Sequence, residues 1–266
     1  MKNISKTSAM HMVKLVSRTL LFLAVLAIYI YAKVSEPEIT IRQSKLSPYI
    51  YGFVALIYIV EMGLRFFPSK IESMGCQKQF ARNFIPTEET EPVSSKRSAT
   101  VAIALIWILG NSVFGALYLL GIFDEGIMLL ISLFYSVCDM ICILYFCPFQ
   151  TWMMKNKCCG TCRIYNWDFA MMFTPMAFII HPLTLTLFGV SVALLIYWEV
   201  CLYRHPERFS ERTNACLSCK NCKEKLCHHK TQLRSFLKKN RESLLLKGNT
   251  VIGKVKEKLK SKKDGE

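Results

Sequence analysis

The chain has 266 residues, room for one or two domains of roughly 150 residues each, with 52% hydrophobic and 20% charged residues and a mean hydropathy of +0.29. That composition excludes a disordered chain, and its apolar content lies far beyond what a short secreted disulfide scaffold carries. The net charge of +15 is uneven: residues 204–266 hold 18 Lys and Arg against 7 Asp and Glu, and the rest of the chain holds 16 against 12. The basic character therefore belongs to the tail, whose expected partner is a surface of anionic lipid headgroups. No reading motif accompanies the charge, so nucleic acid is not an expected partner.

A helix needs about 20 mostly apolar residues to cross a hydrocarbon layer of about 30 Å. In chain order the candidates are 19–34, 49–67, 99–123 and 127–147. The first is bounded by Arg18 and Lys33 and no small-x-small cleavage site follows it, which reads as an uncleaved anchor. Only Asp124, Glu125 and Gly126 separate the third from the fourth, which predicts a tight helical hairpin.

The fifth apolar block, 169–203, would run to about 52 Å as a single helix and overshoot any bilayer. His181-Pro182 is the expected break, because proline restricts the residue before it and cannot donate the helical hydrogen bond. The block then divides into 165–180, kinked at Pro175, and 183–203; by length alone one long kinked helix projecting into water is the alternative. Charge decides between them, since Lys and Arg accumulate in cytoplasmic loops. Six segments with a cytoplasmic N-terminus put 31 basic residues inside and 3 outside, whereas five give 21 against 13 in the better orientation.

The expected fold class is thus all-α: a multi-pass transmembrane helical bundle in the lipid bilayer over residues 1–203, then a cytoplasmic basic Cys-rich tail, 204–266. Both termini are expected on the cytoplasmic side. Loop 65–98, with Pro86, Pro92 and acidic Glu88, Glu89 and Glu91, reads as a cytoplasmic connection along the membrane surface. Residues 228–247 space Leu233, Phe236, Leu237, Leu244 and Leu245 as an interfacial helix would.

The twelve cysteines carry the strongest chemical signal. Cys138, Cys142, Cys147 and Cys201 fall in or at the ends of apolar segments and are expected to pack as small apolar side chains. Seven others stand in polar stretches: Cys158, Cys159 and Cys162 in a CCGTC loop, and Cys216, Cys219, Cys222 and Cys227 in the tail, with His228 and His229 after them. A C-x-x-C step lets two thiolates converge on one ion while backbone amides point at the sulfurs, so these seven are the candidate metal ligands.

The tail run C-x2-C-x2-C-x4-C resembles the bacterial ferredoxin run, C-x2-C-x2-C-x3-C-P, with a last gap one residue longer and no proline. The resemblance implies an iron–sulfur cluster held by Cys216, Cys219 and Cys222, with a fourth ligand from Cys227 or the CCGTC loop. Cys158-Cys159-Gly160 is also similar to the CCG modules of disulfide-reducing iron–sulfur enzymes. Zn, the other cofactor expected, would join Cys159 and Cys162 to a tail pair, because the tail pairs stand too close together to enclose it alone.

Ionisable and amide groups inside apolar segments are functional candidates. Glu61 and Arg65, four apart on the second segment, are expected to pair within their helix. Asn111, Asp139 and Glu199 are candidates for a polar path or for interhelical hydrogen bonds, and His181 for an outer-turn residue. No phosphate loop, His-Glu-x-x-His or nucleophile elbow is present, and no catalytic residue is singled out. Three functions compete on this reading: an iron–sulfur electron-transfer protein serving a membrane redox partner, a transporter or scaffold with a structural zinc clamp, and a thiol- or metal-responsive regulator.

Overall fold

The computed structural model describes residues 6–35, 47–68, 74–93, 97–156 and 158–222, with the isolated helical positions Ser235 and Asn240. The chain divides into two units, Met1–Lys225 and Leu226–Glu266. Cys227, His228, His229 and, apart from the two isolated positions, the interfacial helix expected at 228–247 lie outside the described residues.

The regular structure of the first unit's described residues is helical, and among them the β-structure is a single antiparallel bridge between Pro86 and Asn214. Helix α1 is Lys6–Ser35, α2 is Ser47–Leu64, α3 is the single turn Met74–Gln77, α4 is Arg97–Leu119 and α5 is Glu125–Leu144. After α5 come a π-helical turn at Phe149–Met154, short 3-10 turns at Cys159–Thr161 and Arg163–Trp167, helix α6 at Asp168–Phe173, a 3-10 turn at Thr174–Phe178, and α7 at Pro182–Arg204. Four helices, α1, α4, α5 and α7, are long and apolar enough to cross a membrane, and Tyr49–Leu64 is a shorter apolar helix. Large apolar side chains stand exposed along them, including Leu20, Leu23, Ile106 and Leu109, as a lipid-facing surface requires.

Helix α1 begins well before the expected residue 19. At 30 residues it is about 45 Å long, and it carries Lys14 and Arg18 inside it. An arginine in an apolar helix costs several kcal/mol unless paired. Here Arg18 donates to Glu61 Oε2 of α2 at 2.7 Å, and to Asp139 Oδ2 and the Ser136 carbonyl of α5, each at 3.1 Å. Its guanidinium also lies over the Tyr58 ring. With its charges answered from two neighbouring helices, α1 continues through positions that would otherwise end an apolar segment.

The hairpin between α4 and α5 turns at Gly121, whose φ of +73° is costly for any side chain. Asp124 caps α5 by accepting from the Ile127 amide at 2.9 Å, and it also binds Lys33 and the Tyr29 hydroxyl of α1. Helix α5 is the central element. It packs on α1 and α6 and lends Met128, Leu129 and Leu133 to the core, with Tyr58 and Met62 of α2 and Phe169, Phe173 and Met176.

The chain breaks at His181-Pro182. His181 has extended backbone and accepts from the Leu183 amide through Nδ1, and Pro182 opens α7. Pro175 sits where α6 gives way to 3-10 turns. The stretch before the break runs antiparallel to α2 along most of its length: Asp168 meets Arg65 at one end of α2, and the His181 ring stacks on Tyr51 toward the other. Gly115 of α4 admits this stretch, because a Cβ there would stand 2.3 Å from the Phe178 ring.

Candidate functional site

The polar groups that the sequence singles out inside apolar segments find partners in the structure. Glu61 and Arg65 do not close on each other as expected. Glu61 takes Lys14 at 3.4 Å and Arg18 at 2.7 Å, and Arg65 reaches across to Asp168, 2.6 Å to Oδ2, while lying over the Phe169 and Tyr165 rings. The correction has a physical cause: an (i, i+4) pair in lipid leaves most of each charge unsolvated, whereas burial between helices supplies several partners at once. Asp139 is likewise one corner of the Arg18 cluster. Asn111 bonds the Trp107 carbonyl at 2.9 Å and accepts from Tyr135 at 3.5 Å. Glu199 accepts from Trp167 Nε1 at 2.7 Å and grips Arg163 in a forked ion pair. These groups tie helices and loop together rather than standing in a row.

Both cysteine stretches are mounted on one segment, residues 76–93. Gln79 Nε2 donates to the Gly160 carbonyl of CCGTC at 2.8 Å, and Gln79 Oε1 accepts from Asn166 at 2.8 Å. One residue earlier, the Lys78 carbonyl accepts from Asn214 of the tail at 3.0 Å. The Pro86–Asn214 bridge, the Ala215 amide on the Ile85 carbonyl and the Cys216 thiol on the Asn83 carbonyl extend that attachment. Each C-x-x-C closes into a tight turn: the Cys162 amide donates to the Cys159 carbonyl at 3.0 Å, and the Cys222 amide to the Cys219 carbonyl at 3.3 Å.

The two turns differ in what surrounds them. Cys219 is exposed, whereas Cys162 is buried against Ile103, Met154 and Ile164. Burial pushes the Cys162 thiol up to about 12. The Cys159 thiol meets Gln150 Oε1 at 3.1 Å. Cys159 and Cys162 line a cavity of about 300 Å³ together with Cys138, Cys142 and Cys147, three cysteines expected only to pack. Cys142 and Cys147 are neighbours on its wall, brought near each other where α5 ends and Phe146 folds back onto the Ile141 carbonyl. Cys201 stays with Tyr197 on α7 as a packing residue. Cys76, which sequence reasoning passed over, is fully buried in the core.

No disulfide joins the eleven described cysteines. Among the described residues no three His, Cys, Asp or Glu side chains are arranged to hold a metal ion, and Cys227 lies outside that set. The cavity wall is mostly apolar, with Trp107, Phe134, Tyr135 and Phe149 beside the thiols. Its two carboxylates, Asp139 and Asp168, are engaged by Arg18 and Arg65. A second, more polar cleft of about 400 Å³ lies between the loop and the tail, lined in part by Gln79, Arg97, Arg163, Glu199 and Phe209. No family model, curated protein or solved structure matches this chain.

Proposed function

We propose that this chain is a multi-pass membrane redox protein whose thiols, gathered at the cytoplasmic end of a six-segment bundle with both termini on that side, carry the electrons. The observation that carries this reading is the cavity: five thiols of two separate segments line one apolar space, and two of them, Cys142 and Cys147, are neighbours at the end of α5. Paired thiols interconvert with a disulfide by releasing two electrons, and they do so where geometry already holds the sulfurs together. The six-segment topology is supported by the antiparallel course of the stretch before His181 along α2 and by the charge asymmetry of the loops.

A cysteine-ligated metal is the second reading, an iron–sulfur cluster or zinc at Cys216, Cys219, Cys222 and Cys227 with help from Cys158, Cys159 or Cys162. Its support is the matched pair of C-x-x-C turns held by adjacent residues, Gln79 and Lys78. The basic tail would then rest on anionic lipid beside a membrane redox partner.

The test is a redox titration of oxygen-free protein in thiol–disulfide buffers, read by mass after alkylation, alongside elemental analysis. The thiol reading expects a reversible two-thiol change with neither iron nor zinc bound. Stoichiometric iron with a brown chromophore, or stoichiometric zinc, transfers the function to the tail cysteines. Impermeant maleimide labelling the CCGTC loop and the tail from opposite faces of sealed vesicles would remove the shared cytoplasmic end.

A further inference from the structure

The thiol-lined cavity has a second property, its walls, that narrows the chemistry of its oxidant. Its volume of about 300 Å³ falls at the small end of ligand pockets, enough for one substituted ring. Five rings of its own surround that space, Trp107 of α4, Phe134 and Tyr135 of α5, Phe149 and Tyr165, and Met171 and Met172 add polarizable apolar surface. Both acidic groups on the wall are already taken by arginines, so the cavity offers no unpaired charge with which to recognise an ion or a sugar phosphate.

The wall also carries a polar handle on α5. The Tyr135 hydroxyl reaches Asn111 only at 3.5 Å, a long bond for an O–H donor, and turning it toward a carbonyl in the cavity costs little. Trp107 and Phe134 lie on α4 and α5, which make few direct contacts with each other, and half of the Phe134 surface is exposed. Part of the cavity wall thus belongs to the exposed apolar surface of α5, along which lipid-soluble molecules arrive.

We propose that this cavity binds the ring of a lipid-soluble quinone and that Cys142 and Cys147 reduce it. This rests on the redox reading above and names the oxidant for it. In the reaction the two thiols lose two protons and two electrons and a bond forms between their sulfurs. The quinone accepts both electrons and both protons, and its two carbonyl oxygens become the hydroxyls of the quinol. Trp107 and Phe149, whose rings stand 6.4 Å apart edge to face, form the stacking wall, and Tyr135 donates to one carbonyl.

The experiment uses the full chain, purified without oxygen in lipid nanodiscs and reduced. It is exposed in parallel to a short-chain ubiquinone analogue and to a water-soluble disulfide, oxidised glutathione. Quinol is followed optically and the linked cysteines are mapped by mass spectrometry. The expected result is one quinol per two thiols lost, a Cys142–Cys147 link, loss of quinol formation in Cys142→Ser and in Cys147→Ser, and retention of it in Cys201→Ser, a cysteine on α7 outside the cavity. Trp107→Ala is expected to raise the half-saturating quinone concentration about tenfold, a loss of about 1.4 kcal/mol, while leaving oxidation by glutathione disulfide unchanged. A pair that glutathione disulfide oxidises and quinone does not overturns this site but leaves the redox reading standing. A pair that neither oxidises overturns both. Quinol formation that survives either serine variant overturns the assignment of the reacting pair.

Discussion

The chain builds the C-x-x-C turn twice and treats the two copies differently. The Cys159–Cys162 turn is pressed under the bundle, with Cys162 among Ile103, Met154 and Ile164, whereas the turn from Cys219 to Cys222 leaves Cys219 in water. Their backbones close with the same amide-to-carbonyl bond, so local spacing does not distinguish them. What does is where each is anchored. CCGTC is followed within six residues by Asp168, which Arg65 pulls into the core, and the tail turn is held from its N-terminal side, at Asn214 and Cys216. A buried thiol keeps its proton and an exposed one remains open to metals and electrophiles. One motif thus serves two chemistries according to its neighbours.

The contrast breaks most severely at Arg65. Replacing it with Met strands the Asp168 carboxylate in the core, which costs about 3–5 kcal/mol. Chemical unfolding in detergent is expected to show that loss, with Cys162 then alkylated as readily as Cys219 while the tail turn labels as before. Gln79→Ala acts on the mount rather than the core. It strands the Gly160 carbonyl and the Asn166 amide, at about 1–3 kcal/mol for each group, and is expected to loosen the buried turn selectively in hydrogen exchange. Asn214→Ala is its counterpart for the tail, expected to expose residues 215–222 to protease with little change in global stability.

In the intact protein the comparison is read as a rate. At pH 8 a thiol held near 12 has roughly a thousandth of the thiolate of an ordinary cysteine. Iodoacetamide is expected to modify Cys162 slower than cysteine in a short unstructured peptide by about that factor, with the Cys162 rate climbing about tenfold per pH unit. The same displacement has a smaller, alkaline consequence. Between about pH 9 and 12 the unfolded chain loses this proton and the folded chain keeps it, so stability falls as pH rises through that window and is fully retained below it. The slope attributable to Cys162 is at most about 1.4 kcal/mol per pH unit, and Cys162→Ala is expected to remove it from the alkaline unfolding profile.

Much of the fold was legible in the sequence. The apolar runs of α4, α5 and α7 are continuous and long, a tight hairpin between α4 and α5 was expected, although it turns at Gly121 and α5 already begins at Glu125, and a proline after His181 leaves helical geometry no way through. The start of α1 was not legible, because the charges that appear to bound it are satisfied by Glu61 and Asp139, 43 and 121 residues away. The same is true of the Glu61 and Arg65 partners. The cavity escaped for a related reason. Sorting cysteines by the polarity of their own segments put Cys142 and Cys147 with the packing residues and Cys159 and Cys162 with the tail. A clue lay in the sequence nonetheless, in the third thiol at Cys147, placed just where the apolar run gives out before Pro148.

By itself the sequence determined that the chain is helical, how long its apolar helices are, and where proline and glycine interrupt them, since those depend on residues within a few positions of each other. Tertiary structure alone decided which arginine meets which carboxylate, and which thiols share a space. Those outcomes depend on the cost of leaving a charge or a polar atom without a partner in an apolar interior, and that cost is settled by whichever helix folds alongside.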